Sequence, residues 1–160
     1  MAKKDTERDE REETNDDHAD LRVYELGFHL DPELSHEDAK AAYAEIRATI
    51  EAAGSIVAEG EPQKIQLAYT VSRTEQGRRR DFDASYFSWI AYECDGEGHA
   101  KVSSAASEDS RIFRFIDIRT EKEVAKHAAE MHELLAKVPE GSEVEEVSDV
   151  EIDAALKEVA

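Results

Sequence analysis

The chain has 160 residues, and its 39 acidic side chains outnumber its 20 basic ones to give a net charge of −19 at pH 7. No stretch approaches the roughly 20 consecutive apolar residues of a membrane-spanning helix, and Met1–Lys4 runs into charge where a secretory leader would become apolar. A single cysteine, Cys94, excludes an internal disulfide. These features predict a soluble, cytoplasmic protein of one domain with long tails.

The negative charge is concentrated at the two ends of the chain. Residues 1–20 hold 9 acidic and 4 basic side chains, and residues 121–160 hold 12 acidic and 4 basic ones. The hundred residues between them hold 18 acidic and 12 basic side chains. The first segment has almost no apolar side chains, which predicts a disordered acidic tail over 1–20. We expect a folded domain over 21–120 and an acidic helical tail over 121–160.

Periodicity places secondary structure along the middle hundred residues. Apolar residues alternate with polar ones over 22–30, which predicts a half-buried strand, and Ser35 opens a helix that Gly54 ends. The same reasoning predicts a second strand over 55–73, interrupted at 60–62, and an aromatic third strand over 82–93. A turn at 96–98, a weak helix over 99–109 and a fourth strand over 111–119 are predicted to follow.

This order of elements predicts an α+β fold of the ferredoxin-like, split βαββαβ type. In such a fold a four-stranded antiparallel sheet carries two helices on one face. Beyond it, capping-box patterns at Thr120–Glu123 and Ser148–Glu151 predict two short amphipathic helices as a C-terminal extension. Their apolar stripes are expected to dock on the domain or to fold against a partner.

Three stretches of this domain resemble the family of the sixth protein of the bacterial small ribosomal subunit, ribosomal protein S-six. Arg22-Val23-Tyr24-Glu25-Leu26 is similar to the opening Arg-x-Tyr-Glu of the family. Gln66-Leu67-Ala68-Tyr69-Thr70-Val71-Ser72 resembles its central signature, with valine at the usual isoleucine position, and Ile112-Phe113-Arg114-Phe115-Ile116-Asp117-Ile118 resembles its last strand. The resemblance covers about residues 21–120.

The resemblance implies a structural, non-catalytic protein that needs no cofactor. Such a protein binds small-subunit ribosomal RNA as a heterodimer with ribosomal protein S-eighteen, a small basic partner that an acidic chain would attract. Basic residues at two motif positions contact RNA in the family, which assigns this role to Arg22 and Arg114. Because the first and last strands are neighbours in this fold, we expect both arginines to lie in one patch.

Further arginines are candidates for RNA contact. Arg78, Arg79 and Arg80 follow a turn, and Arg73 lies on the other arm of the same hairpin. Guanidinium forks match phosphate oxygens, so the four predict a phosphate clamp. Arg119, at the end of the fourth strand, completes the predicted RNA-binding set. The competing interpretation is that these residues form a solvated loop and ordinary charge pairs.

Aromatic side chains of the third strand are candidates for partner contact. Tyr86 and Tyr92 fall on one face of the strand, and Phe87 and Trp89 fall on the other. One set is expected to be core, and the other is available to bases or to a partner. We predict partner contacts for Tyr86, Trp89 and Tyr92.

Other function classes receive little support from the sequence. The six histidines have no cysteine at zinc spacing, and Cys94 lies between acidic residues that disfavour a thiolate. An acylphosphatase-like enzyme would need a cationic loop after the first strand, where Asp31-Pro32-Glu33-Leu34 stands instead. The aromatic-glycine signature of an RNA-recognition motif is missing from the third strand. The main alternative is an acidic protein-interaction or regulatory module that never binds RNA.

Overall fold

The computed structural model describes residues 20–137 and has a four-stranded antiparallel sheet with three helices. The elements in chain order are β1 (Arg22–Leu30), α1 (His36–Ala53), β2 (Gly54–Glu75), β3 (Arg78–Cys94), α2 (Gly96–Glu108), β4 (Ile112–Thr120) and α3 (Lys122–Lys137). The strand order is β2-β3-β1-β4, which confirms the predicted ferredoxin-like fold with a helical C-terminal extension. The N-terminal tail over 1–19 and the second tail helix lie outside the described residues.

The main core lies between the sheet and the pair α1 and α2. Even-numbered residues of β1 point into it, and Leu26, Phe28 and Leu30 are fully buried there. Ile90 and Tyr92 of β3 and Ile50 of α1 complete the same layer. The apolar side chains at alternate positions of β1 therefore lie on one face against the helices, as the period of a strand requires.

The long hairpin of β2 and β3 differs from the sequence expectation at both ends of its turn. Only Gln76 and Gly77 form the turn, and both have left-handed φ angles, +49° and +77°. This geometry suits a two-residue hairpin, because its twist matches that of the strands. The arginine triplet therefore belongs to β3, and the predicted interruption at 60–62 is a register shift inside one strand.

Helix α2 begins three residues earlier than predicted. The stretch Gly96–Gly98, interpreted from the sequence as a turn, forms its first turn, because the Asp95 carboxylate accepts a hydrogen bond from the Gly98 amide at 2.6 Å. An aspartate at this position satisfies an amide that the helix leaves unpaired. The two glycines obscured this N-cap in the sequence.

Helix α3 packs on the face of the sheet that α1 and α2 leave open. Ala125 is fully buried and, with Ala129, packs against Trp89 and Ala91 of β3. The sheet is thus covered on one side by two helices and partly covered on the other by α3. Among residues 20–137, no helix is long and apolar enough to cross a membrane.

Candidate nucleic-acid interface

Arg80, at the centre of the predicted phosphate clamp, is engaged within the protein. Its guanidinium forms ion pairs with Asp31 at 2.8 Å, Glu33 at 2.7 Å and Glu75 at 3.1 Å, and it lies over the Phe82 ring. The hydrogen bonds that Arg80 donates to the Asp31 and Glu75 carboxylates raise the pKa of its guanidinium. Arg80 therefore fastens the hairpin to the loop after β1, which leaves it poorly placed to bind a phosphate.

The two arginines beside it also have intramolecular partners. Arg73 donates a hydrogen bond of 2.6 Å to the Ile112 carbonyl and lies 3.6 Å from Glu75. Arg79 pairs with Asp81 at 3.0 Å, although 72% of its side chain is exposed. Three of the four predicted clamp residues are thus at least partly neutralised by their own chain.

Arg22 and Arg114 do not form the single patch that the sequence predicted. β1 and β4 are antiparallel, so Val23 pairs with Thr120 at one end and His29 pairs with Arg114 at the other. Seven residues of strand, about 24 Å, separate Arg22 from the position of Arg114. Arg22 also forms an ion pair with Asp20. Neighbouring strands bring their starting residues together only when they are parallel, which explains the error.

Within residues 20–137, three of the seven predicted RNA-binding arginines have no carboxylate oxygen within 4.0 Å: Arg78, Arg114 and Arg119. Arg78 lies at the hairpin turn, and Arg119 lies opposite Tyr24, on the helix-covered side of the sheet. Arg114 lies opposite His29 on the open side. Arg114 adjoins a cavity there.

A wide bulge in β2 brings Tyr69 to Arg114. Gln66 pairs with Ala84 and Val71 pairs with Phe82, so four residues of β2 face the single residue Asp83. The bulge turns Tyr69 outward, where it is 63% exposed. Arg114 Nη1 donates a 2.8 Å hydrogen bond to the Tyr69 hydroxyl, and its guanidinium lies 5.9 Å from the centre of the ring.

Tyr69 and Arg114 border a shallow cavity of about 290 Å³ on the open face of the sheet. Gly27, His29 and Phe87 lie at its base, and Ile116 adds an apolar wall. The cavity therefore offers flat apolar surface, one exposed aromatic ring and one cationic fork. These groups are suited to contact with a nucleotide, because bases stack on aromatic rings and phosphates bind guanidinium.

His29 contributes polarity to this cavity but little charge. Its Nδ1 lies 2.7 Å from the buried Ser85 hydroxyl. Burial, and to a smaller extent the charge of Arg114, lowers the pKa of His29. The imidazole is therefore neutral at pH 7, and Arg114 supplies the positive charge at this position.

Sequence reasoning missed Tyr69 as a site residue. The pattern Ile65, Leu67, Tyr69, Val71 predicted a regular strand with one inward face, whereas the bulge breaks that alternation between Gln66 and Val71. The only available signal was the position of Tyr69 within the resemblance motif. A bulge of this kind has no simple period and depends on cross-strand partners such as Asp83, whose backbone carbonyl accepts a hydrogen bond from Gln66.

The three aromatic residues predicted to bind a partner are buried. Tyr86 and Tyr92 lie in the core beneath α1 and α2 with 7% and 0% exposure. Trp89 points to the opposite face and is 8% exposed because α3 covers it. In this conformation none of them offers a surface to another molecule, which corrects the expectation that one set would stay available.

Exposed apolar residues occur instead on β4. Ile116 is 62% exposed and Ile118 is 46% exposed, both on the open face beside Arg114. β4 is also an edge of the sheet, so its outer backbone groups pair with no strand among the described residues. An edge strand with exposed isoleucines is suited to contact with another protein chain.

Cys94 has the properties of an inert core residue. It is fully buried, and burial together with the nearby carboxylates of Asp95 and Asp117 raises the pKa of its thiol to about 11. The thiol is thus protonated at neutral pH and is a poor nucleophile.

Comparison with known proteins agrees with this architecture. A family model described as Ribosomal protein S6 matches residues 23–119. The chain is 26% identical over 124 residues to the Small ribosomal subunit protein bS6 of Porphyromonas gingivalis, a match that covers 77% of this chain and 99% of that protein. The crystal structure of 30S ribosomal protein S6 from Thermotoga maritima has a similar fold, with a TM-score of 0.50 at 19% identity over 70% of this chain and 98% of that one. Because the family model spans more than half of the chain and all four strands, the chain belongs to the ribosomal protein S6 family of structural proteins of the small ribosomal subunit.

Proposed function

We propose that this protein binds small-subunit ribosomal RNA through Arg114 and Tyr69, as a heterodimer with ribosomal protein S-eighteen. The observation that carries the proposal is the pairing of an exposed tyrosine with an arginine that has no carboxylate neighbour in the described chain. On this proposal the protein works bound to the ribosome in the cytoplasm and has a structural role without catalysis.

The geometry supports recognition of an unpaired nucleotide. A base stacked on the exposed face of Tyr69 gains roughly 1–3 kcal/mol by analogy with other stacking sites. Arg114 is held beside the ring by its hydrogen bond to the hydroxyl, so its remaining donors can reach the adjacent phosphate. Arg78 and Arg119 provide secondary contacts that position the RNA, without base specificity.

The partner surface proposed for ribosomal protein S-eighteen is the exposed part of β4. Ile116 and Ile118 supply apolar area next to the RNA site, so the partner and the RNA would meet at adjacent places. The charge of the chain supports this pairing, because a protein of net charge −19 attracts a basic partner and steers its approach.

Replacement of Arg114 by glutamine tests the RNA site. We expect the complex of R114Q with ribosomal protein S-eighteen to bind a small-subunit rRNA fragment roughly tenfold more weakly, because one phosphate contact is lost, and the slope of log affinity against log salt to fall by about one. The measurement is filter binding across a salt series, with sedimentation of cell lysate to follow association with small subunits.

Lys101→Gln is the matched control. It removes the same charge from an exposed position on α2, where the one carboxylate that Lys101 pairs with in the described part of the chain is Glu97 of the same helix. This control should leave affinity and salt slope unchanged. Equal affinities for R114Q and the parent protein would refute the site. Sedimentation of the parent protein only at the top of the gradient at every salt concentration would instead favour an interaction module that does not bind RNA.

A further inference from the structure

Helix α3 has two different apolar faces, and the sheet covers only one of them. The face against the sheet consists of small residues, with Ala125 and Ala129 packed on Trp89 and Ala91. The larger apolar side chains of the helix point elsewhere and are exposed: Val124 by 56%, Met131 by 44%, Leu134 by 59% and Leu135 by 66%. We call this second face the leucine face. An amphipathic helix normally buries its larger apolar residues, so the leucine face lacks a cover among residues 20–137.

A cavity adjoins the second half of α3. It has a volume of about 460 Å³ and lies between α3 and the strands β2 and β3. Ile65, Phe87 and Trp89 lie on the sheet side, and Leu135 and Ala136 lie on the helix side. The cavity is thus mainly apolar, and it meets the leucine face at Leu135. Three glutamates also line it, and each pairs with a basic side chain: Glu59 with Arg47, Glu61 with Lys40 and Glu133 with Lys137.

The chain beyond α3 has the length and pattern to cover this surface. Residues 138–160 begin with the turn formers Pro139 and Gly141, and the segment 148–160 has apolar residues at helical spacing, namely Ile152, Ala155, Leu156 and Val159. Thirteen helical residues span about 20 Å, close to the 24 Å of the sixteen in α3. The connection 138–147 can extend to about 33 Å, far more than the 8–10 Å between packed helices.

Charge favours this segment over a second copy of the chain. Residues 138–160 carry eight acidic side chains against one lysine, whereas α3 carries three acidic residues and three lysines, so it does not repel them. A second copy would bring another net charge of −19, and its approach would be opposed by the whole field of the molecule. A tethered segment also acts at a high effective concentration.

We propose that residues 148–160 dock as a second helix on the leucine face of α3, with Leu156 in contact with Leu135 at the mouth of the cavity. The C-terminal extension is then a helical pair that packs on the open face of the sheet. The leucine face is then covered by the same chain, and neither RNA nor a partner protein is needed for the contact.

Hydrogen exchange followed by mass spectrometry on full-length protein tests this docking. The change is Leu156→Asp, which places a charge in the proposed contact. We expect the backbone amides of residues 131–137 to exchange roughly tenfold faster in this variant, because the loss of one buried leucine contact lowers the cost of local opening. The control is Ala154→Asp, which puts the same charge in the same segment but on its opposite side, and it should not change the exchange.

Two results would overturn the proposal. The first is exchange of residues 131–137 that is equally fast in L156D, A154D and the parent chain. The second is protection that disappears on dilution together with a dimer in sedimentation velocity, which would make a second copy the occupant. Sedimentation as a monomer at all concentrations, with the difference between L156D and A154D retained, is the expected outcome.

Discussion

Gly54 stands where helix α1 ends and strand β2 begins, and the requirement for glycine there is steric. Its amide donates to the Ile50 carbonyl, and its backbone is extended. A Cβ at this position would lie 2.1 Å from the Glu93 carbonyl oxygen and 2.7 Å from the Cys94 Cβ. Because one obstacle is backbone paired across the sheet, it cannot rotate away as a side chain would.

Gly54→Ala is therefore expected to lower the free energy of unfolding by about 1–3 kcal/mol, the usual cost of forcing extra volume into a packed site. The matched change is Gly96→Ala, where a Cβ meets nothing within 4 Å. Alanine there should raise stability by about 0.4–1 kcal/mol, because it restricts the unfolded chain and favours the first turn of α2. Urea denaturation measures both changes, and equal effects of the same sign would contradict this account.

The arginines show that a sequence does not reveal whether a particular basic side chain has an acidic partner in the folded protein. Their number and position along the strands identified a group of basic residues. Some of these arginines are neutralised by acidic residues that are distant in sequence, and others are not. Asp31 and Glu33 neutralise Arg80 across almost fifty positions, whereas Arg114 meets only the Tyr69 hydroxyl among the described residues. Charge counts could not separate these two outcomes, because pairing depends on the closed sheet.

Helix α3 illustrates the limits of prediction for an element. Its existence follows from the apolar periodicity after Thr120, but the stripe predicted to dock, which includes Val124 and Met131, is exposed. The face that docks is made of alanines, since small side chains let the helix approach the broad surface of Trp89. The spacing of apolar residues shows which side of a helix is more hydrophobic. Here the face that meets the sheet was decided instead by the small size of its alanines, which lets the helix come close to β3.

Ala125→Asp tests the packing of α3 on the sheet. Ala125 is fully buried, and an unpaired carboxylate there should release the helix from β3. Trp89 is the only tryptophan of the chain, so its fluorescence should shift to longer wavelength, whereas circular dichroism should still report the sheet and the core beneath α1 and α2.

The control for this experiment is Lys126→Asp, an exposed neighbour on the same helix, which should leave the emission of Trp89 unchanged. An unshifted emission maximum in A125D would mean that α3 does not shield Trp89 in solution.

For the whole molecule, the order and pairing of strands were predictable because alternation over 22–30 and over the aromatic third strand specifies which faces are buried. The bulge at 67–70 was not predictable, because it depends on the Gln66 side chain bonding to the distant Asp83 carbonyl. The start of α2 was not predictable either, because Gly96 and Gly98 obscured the N-cap at Asp95. The fold class therefore followed from patterns, whereas the proposed RNA site followed from an irregularity in them.

The global charge leads to opposite effects of salt on stability and on RNA binding. With 39 acidic against 20 basic side chains, self-repulsion outweighs exposed ion pairs such as Arg47–Glu51, because water screens the attraction within such pairs. Raising NaCl from 0.01 M to 1 M shortens the screening length from about 30 Å to about 3 Å. We expect the melting temperature to rise by about 3 °C, equivalent to roughly 1 kcal/mol for a domain of this size.

Over the same salt range, affinity for RNA should fall, because counterions compete for the phosphates that Arg114 is proposed to bind. Scanning calorimetry and filter binding on one protein preparation measure the two responses. The calorimetric series repeated near the sequence pI of about 4.6 serves as the control, since repulsion vanishes there and the stabilisation by salt should vanish with it. A melting temperature that falls with NaCl at pH 7 would show that local ion pairs, rather than net charge, dominate the electrostatics of this fold.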